Sequence, residues 1–230
     1  MPDATDRSEA RRDDETAEGE PIAHVLGDLR DRLRASRPLA SGDDPISNQW
    51  RILRAAAGER GRLFEHRPSQ WVDAREGSEH RCRFLPDPQR FEKLTKQDAA
   101  GWWVDISDRL HLLPATPIQY LERLDLANVV FGDDIRFVGV DVPRDRPHSH
   151  MIRTTQPFVE GDAPAVPEIL AWLKDAGFER EADAQIGAYN AMCFRRDDLW
   201  LFDVRPANLV LCDDEIYAVD IIVQRTPSQS

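Results

Sequence analysis

The chain has 230 residues, 41% of them hydrophobic and including six Trp and nine Phe, enough for one domain with a real core. Its formal net charge of −12 argues against general binding to nucleic acid or to an anionic membrane surface, and no stretch has the apolar length of a membrane span. Cys82, Cys193 and Cys212 are scattered and odd in number, so they suggest neither a disulfide framework nor a metal knuckle and fit a reducing, cytoplasmic setting.

Residues 1–20 are charged or small, with no bulky apolar residue after Met1. They are expected to form a disordered tail, and they lack the apolar core of a signal peptide. Pro21 opens a helix in which Ile22, Val25, Leu26, Leu29 and Leu33 recur at helical spacing. After a breaker-rich linker, Ile46, Trp50, Leu53 and Ala57 define a second helix over 46–60. These N-terminal helices, 21–60, are expected to dock on the domain or to bind a partner.

From Gln70 the period shortens toward two. Residues 70–74, 80–85 and 89–95 read as strands joined by short turns, and 102–106 and 110–113 as extensions of the same sheet. Thr116 caps a helix over 117–127, with Ile118, Leu121, Leu124 and Leu126 as its apolar face. Strands follow at 135–142 and 151–158, then a helix at 165–176 closed by Gly177. The end reads as all-β: 188–195, 199–202, 209–212 and 216–222.

One segment carries chemistry. Asp203-Val-Arg205-Pro-Ala-Asn208 is followed by a hairpin and then by Asp220. An Asp, an Asn five residues on and a second Asp on the next strand can converge on a metal ion and a phosphate chain. The same letters also suit a turn, where Asp and Asn satisfy backbone groups. Asp220 resists that plainer reading. It lies in the apolar run Tyr217-Ala-Val-Asp-Ile-Ile222, where a carboxylate is costly to desolvate unless paired or bound to metal. Lys93 is one of only three lysines, with Lys96 and Lys174, among 30 basic residues, and it ends a predicted strand.

The order of these pieces resembles a protein-kinase fold: glycine-containing hairpin, lysine strand, glutamate helix, hinge, catalytic loop, metal strand. More narrowly it resembles the small kinase-like domains of polyvalent proteins in phages and mobile elements. The segments that carry the likeness are Glu76-Gly-Ser-Glu-His80, Lys93-Leu-Thr95, Thr116-Pro-Ile-Gln-Tyr-Leu121, Phe131-Gly-Asp-Asp134, Thr155 to Gly161, and Asp203 to Asn208 with Asp220, spanning roughly 70–222.

The resemblance implies an α+β, protein-kinase-like fold. An antiparallel-sheet N-lobe with one packed helix would cover 61–158, and a reduced C-terminal lobe 159–230. It implies ATP and Mg²⁺ as ligands. Lys93 would hold the α- and β-phosphates, paired with Glu122 on the helix. Gly77 would lie in the phosphate-covering hairpin, and Glu160 just after the hinge that contacts adenine. Asp203 would position or deprotonate an acceptor hydroxyl, Arg205 would face the transferred phosphate, and Asn208 and Asp220 would ligate Mg²⁺.

Several departures bear on activity. The hairpin has one glycine, Leu201-Phe202 replaces His-Arg before the Asp, and Ile221-Ile222 replaces Phe-Gly after Asp220. No activation segment or Ala-Pro-Glu motif follows, so an acceptor is expected to dock otherwise than on a helical peptide platform. Three readings stay open: a minimal kinase-like domain transferring phosphate to a protein hydroxyl, a degenerate pseudokinase module that binds a protein partner, and a small-molecule phosphotransferase. His148-Ser-His150 reads as a loop entering a strand, and Trp102-Trp103 as core or edge. No P-loop and no G-x-S-x-G is present.

Overall fold

The computed structural model describes residues 19–36, 44–73, 79–107 and 110–226. The expected tail of 1–20 lies almost wholly outside the described residues. So do the linker 37–43 and the hairpin 74–78 with Gly77.

An α+β architecture is observed, with antiparallel sheets and four α-helices among the described residues. The chain enters with β1 (Glu20–Pro21), α1 (Ile22–Ala35), α2 (Pro45–Glu59), β2 (Leu63–Glu65) and β3 (Val72–Asp73). β4 (His80–Pro86) and β5 (Gln89–Thr95) form a hairpin, and β6 (Trp102–Asp105) and β7 (His111–Pro114) a second one. Then come α3 (Pro117–Phe131), β8 (Arg136–Val142) and β9 (Met151–Pro157).

The main sheet runs β8-β9-β5-β4-β3, the five strands expected, and two short ones share the outer edge of β8. β1 pairs there antiparallel at Arg136–Phe137 and β2 parallel at Val140–Val142. Neither was visible in the sequence, because two or three residues cannot display a period. β6 and β7 do not extend this sheet, contrary to expectation; they pair only with each other. Buried Gln224 ties them in instead, its amide donating to Val104 O and accepting from Val104 N–H at 3.1 Å.

α3 starts where Thr116 and Gln119 form a reciprocal capping box with Pro117 at the first position. It runs four residues beyond the predicted end. Gly132, at φ 69°, supplies the left-handed C-cap that stops it. Both N-terminal helices dock. Leu26 and Leu29 of α1, Trp50 and Leu53 of α2, and Tyr120 and Leu121 of α3 belong to one buried cluster that continues into the sheet at Phe137 and Ile152.

The face of the main sheet turned away from α3 buries an ion pair beside the apolar trio Trp71, Leu94 and Met151. Arg153 grips Asp141 with two bonds of 2.8 Å, and both are essentially inaccessible. The guanidinium also lies 4.5 Å from the Phe64 ring and 5.3 Å from Trp71, a stacked arrangement that suits its planar charge.

After β9 the chain is pinned by Asp162, whose backbone exchanges hydrogen bonds with Leu211 at 3.1 and 2.7 Å. Gly161 permits this approach, since a Cβ there would collide with the Leu211 carbonyl. α4 (Val166–Asp175) follows, then β10 (Glu179–Arg180), β11 (Met192–Arg196) and β12 (Leu199–Val204). With β15 (Ile222–Arg225) these form a sheet ordered β10-β11-β12-β15, and β13 (Leu209–Cys212) and β14 (Glu215–Ala218) form a hairpin between β12 and β15. Two predicted strands are corrected here. Residues 188–191 turn rather than extend, and the expected strand 216–222 breaks at Val219–Ile221.

Removing the anion from the inner ion pair takes the counter-ion of 2.8 Å contact away from the buried Arg153 charge. Asp141→Asn is therefore expected to cost about 3–5 kcal/mol, read as a lower urea midpoint with an unchanged slope.

Candidate functional site

Alternation along β5 places Lys93 on the sheet face that looks toward α3. Direct pairing sets it between Cys82 of β4 and Thr154 of β9. The break after β14 faces it from below. Lys93 Nζ donates to the Val219 carbonyl and lies 3.5 Å from Asp220 Oδ1. Lys93, Asp220, Tyr120, Arg123, Asp133 and Gln156 line one cavity. Its free space is about 20 Å³, room for roughly one water molecule.

Burial would push the Asp220 carboxyl up, but Lys93, His80 and Arg123 outweigh it and hold the group below the ordinary carboxylate range. The carboxylate is still 40% exposed, so it is charged and reachable. His80 is buried and its pKa is lowered, chiefly by desolvation. It is thus neutral at pH 7. Its Nδ1 lies 3.9 Å from Asp220, while its Nε2 lies 3.0 Å from the Tyr120 hydroxyl and 3.6 Å from Glu79. Arg123, 2% exposed, closes the network with 2.7 Å to Glu79 and 2.9 Å to the Trp102 carbonyl.

Glu79, His80 and Asp220 offer ligand atoms all within 4.8 Å. The two carboxylates approach different imidazole nitrogens, however, and each already faces a cation. The trio reads better as a charge-balanced relay, Lys93–Asp220–His80–Glu79–Arg123, than as a metal centre of its own.

The second half of the site is the loop between β12 and β13. Asp203 adopts φ 56°, a left-handed conformation that Asp tolerates better than most residues. Its Oδ1 accepts from Ala188 N–H at 3.0 Å and its Oδ2 from Asn208 Nδ2 at 2.8 Å. Arg205 Nε stands 3.6 Å from Oδ1. Gly187 admits the carboxylate, because a Cβ at that position would strike it. Asn208 also donates to the Asp203 carbonyl at 2.8 Å, and its own carbonyl accepts the N–H groups of Val219 at 3.0 Å and Asp220 at 3.4 Å. This last contact breaks the strand and turns Asp220 toward Lys93.

Lys93, Asp220, Asn208 and Asp203 thus form one connected chain of contacts, with Arg205 beside Asp203. Glu122 does not join it. Its carboxylate meets Arg30 of α1 instead. On a helix of 3.6 residues per turn, Tyr120, Arg123 and Ala127 share a face, and position 122 falls nearly opposite. Glu160 is exposed beside the pinned segment, and Gly77 lies outside the described residues. His80, Arg123 and Asp133 were given no site role in the sequence reading, although the spacing of Arg123 from Tyr120 and Ala127 places it on the buried side. Phe84, Phe91 and Phe158 were also missed. They stand edge to face, centroids 5.2–5.5 Å apart, and Phe84 and Phe91 project on the same sheet side as Cys82 and Lys93. The His148–His150 loop is structural in its last member, where His150 stacks on Trp50 at 5.6 Å.

Comparison with protein-family models, curated proteins and solved structures returns no match for this chain. No helix among the described residues is long and apolar enough to cross a membrane.

Asp133 yields a signed prediction. Burial raises its pKa to about 6, against smaller lowering effects from Gln156 and Lys93. A raised folded-state value favours folding at low pH, and this contribution disappears as pH climbs through about 6. Asp133→Asn should therefore gain about 1–3 kcal/mol at pH 7.5 and almost nothing at pH 4, measured by urea unfolding at both.

Proposed function

We propose that this chain is a minimal kinase-like domain that binds ATP with Mg²⁺ and transfers the γ-phosphoryl group to a protein hydroxyl. The observation that carries this reading is the contact of Lys93 with Asp220, 127 residues apart, beside a loop in which Asn208 orders both Asp203 and the Asp220 backbone. The strand order β8-β9-β5-β4-β3, with the lysine on the middle strand, supports the same reading. So does the pinned connection at Gly161-Asp162, which follows β9 where the hinge is expected.

Lys93 would fix the α- and β-phosphates as a point charge. The Phe84–Phe91–Phe158 group, two residues along β5 from Lys93, offers aromatic edges and faces to the base. Asp203 would align an acceptor hydroxyl, since its carboxylate is held by Asn208 and Ala188 rather than free to swing. Arg205, beside it, would meet charge on the moving phosphoryl group. Asp220, exposed and ionised, and Asn208 are the residues that would hold Mg²⁺. When bound, the metal supplies positive charge to the β- and γ-oxygens. Asn208 spends its amide nitrogen on Asp203, which leaves its oxygen as the donor of the right type for a hard cation.

One observation favours the second reading, a pseudokinase module that binds a protein without catalysis. The cavity is too small for a nucleotide while Lys93 holds the Val219 carbonyl. Nucleotide entry requires that bond to open.

Thermal denaturation separates the two. With Mg²⁺ present and ATP at 100 times its Kd, binding stabilises by about 2.7 kcal/mol, a Tm rise of roughly 5–10 °C for a chain of this size. Asp220→Ala should abolish the rise relative to its own unliganded baseline. An unmoved wild-type curve at millimolar Mg·ATP selects the binding module.

A further inference from the structure

Lys93 needs an anion behind it. Its present partners, Asp220 and the Val219 carbonyl, are what a metal-bound nucleotide would take over or displace, and the helix carboxylate expected to serve, Glu122, points the other way. We propose that Asp133, just past the C-terminal cap of α3, is the positioning residue that steadies Lys93 in the nucleotide-bound state. The inference rests on the kinase-like reading of the site and gives a role to a residue to which that reading assigned none.

Three geometric facts support it. Asp133 lines the same cavity as Lys93. It is held from the sheet side by Gln156, whose Nε2 donates to Asp133 Oδ2 at 3.4 Å. Gln156 sits two residues along β9 from Thr154, the direct partner of Lys93, so the amide that holds the Asp133 carboxylate stands one diagonal step from the lysine on the same face. Lys93 has three N–H donors, and Val219 and Asp220 account for two.

The neighbouring carboxylates described are committed elsewhere. Glu79 belongs to Arg123 at 2.7 Å, and Asp134 to Arg90 at 3.0 Å and Arg136 at 2.7 Å. Among the described residues, Asp133 has no ion pair within 4 Å. Its titration fits a carboxylate waiting for a cation. Burial lifts it to about 6, while Lys93 pulls it down and Asp134 pushes it up. The other ionisable groups around the cavity are Asp220, already low; His80, lowered by burial from 6.5; and Tyr120 and Arg123, whose values are raised. Bringing the ammonium toward Asp133 ionises it, and the pair then presents Lys93 to the phosphates with its charge balanced from behind.

The scarcity of lysine makes the test clean. Protein labelled with ¹³Cε-lysine carries three lysine resonances, and Lys93→Arg identifies the one from position 93. Without nucleotide, the Lys93 signal should step with a midpoint near pH 6, and Asp133→Asn should abolish the step. With nucleotide, calorimetry at pH 7.5 should show Asp133→Asn binding Mg·ATP roughly tenfold more weakly, the scale of one charge-assisted contact. Asp133→Glu should recover part of the loss, and the wild-type affinity should weaken from pH 7 to 5 while the Asn variant stays flat. A Lys93 signal with no step, a step that survives in Asp133→Asn, or wild-type affinity in that variant overturns the proposal. If the wild type binds no nucleotide, the kinase-like reading fails on that result, and the proposal's claim on the bound state falls with it. The resonance step separately decides whether Asp133 addresses Lys93.

Discussion

Everything at the centre of this molecule depends on the double engagement of one peptide segment, Val219-Asp220. Its N–H groups are taken by the Asn208 carbonyl and its Val219 carbonyl by Lys93. An apolar run that would otherwise extend as a strand is thereby held in a bend. The bend is what brings a carboxylate out of the apolar surroundings and up against an ammonium. Without those backbone contacts Asp220 would alternate into a sheet face, where its charge would have no partner.

The same logic explains the balance of charge beneath the sheet. Two cations, Lys93 and Arg123, face two carboxylates, Asp220 and Glu79, with a neutral imidazole between them. In a cavity with so little free space, any unmatched charge would be expensive. Asp133 meets that constraint by the other route, through a raised proton affinity. A site that holds its surplus carboxylate partly protonated can accept a further cation, or a rearranged one, at low cost.

Much of this was legible in the sequence, for identifiable reasons. β4 and β5 were readable because seven residues are long enough to show a two-residue period. α3 announced its start through Thr116, a cap residue set just before Pro117. Lys93, Asp203, Asn208 and Asp220 stood out because polar residues at the ends of apolar strands, or inside them, must be satisfied by something. The partner of Lys93 was not legible. Glu122 was chosen for its chemistry, whereas helical phase puts Tyr120 and Arg123 inward and sends Glu122 to Arg30 on α1. The break at Asp220 was equally hidden, since it is imposed by a carbonyl eleven or more residues upstream and not by any local breaker. His80 carries no sequence signal of its own; only the fold brings Asp220 and Tyr120 to its two nitrogens.

α3 is packed on both sides, by α1 and α2 on one and by β15 and the β6–β7 ribbon on the other. A helix clamped in this way cannot tilt without exposing Tyr120 and Leu121 and uncoupling Arg123 from Glu79. With the helix as one fixed wall, the facing side of the cavity is set by the bend at Val219–Ile221, which Asn208 and Lys93 hold in place.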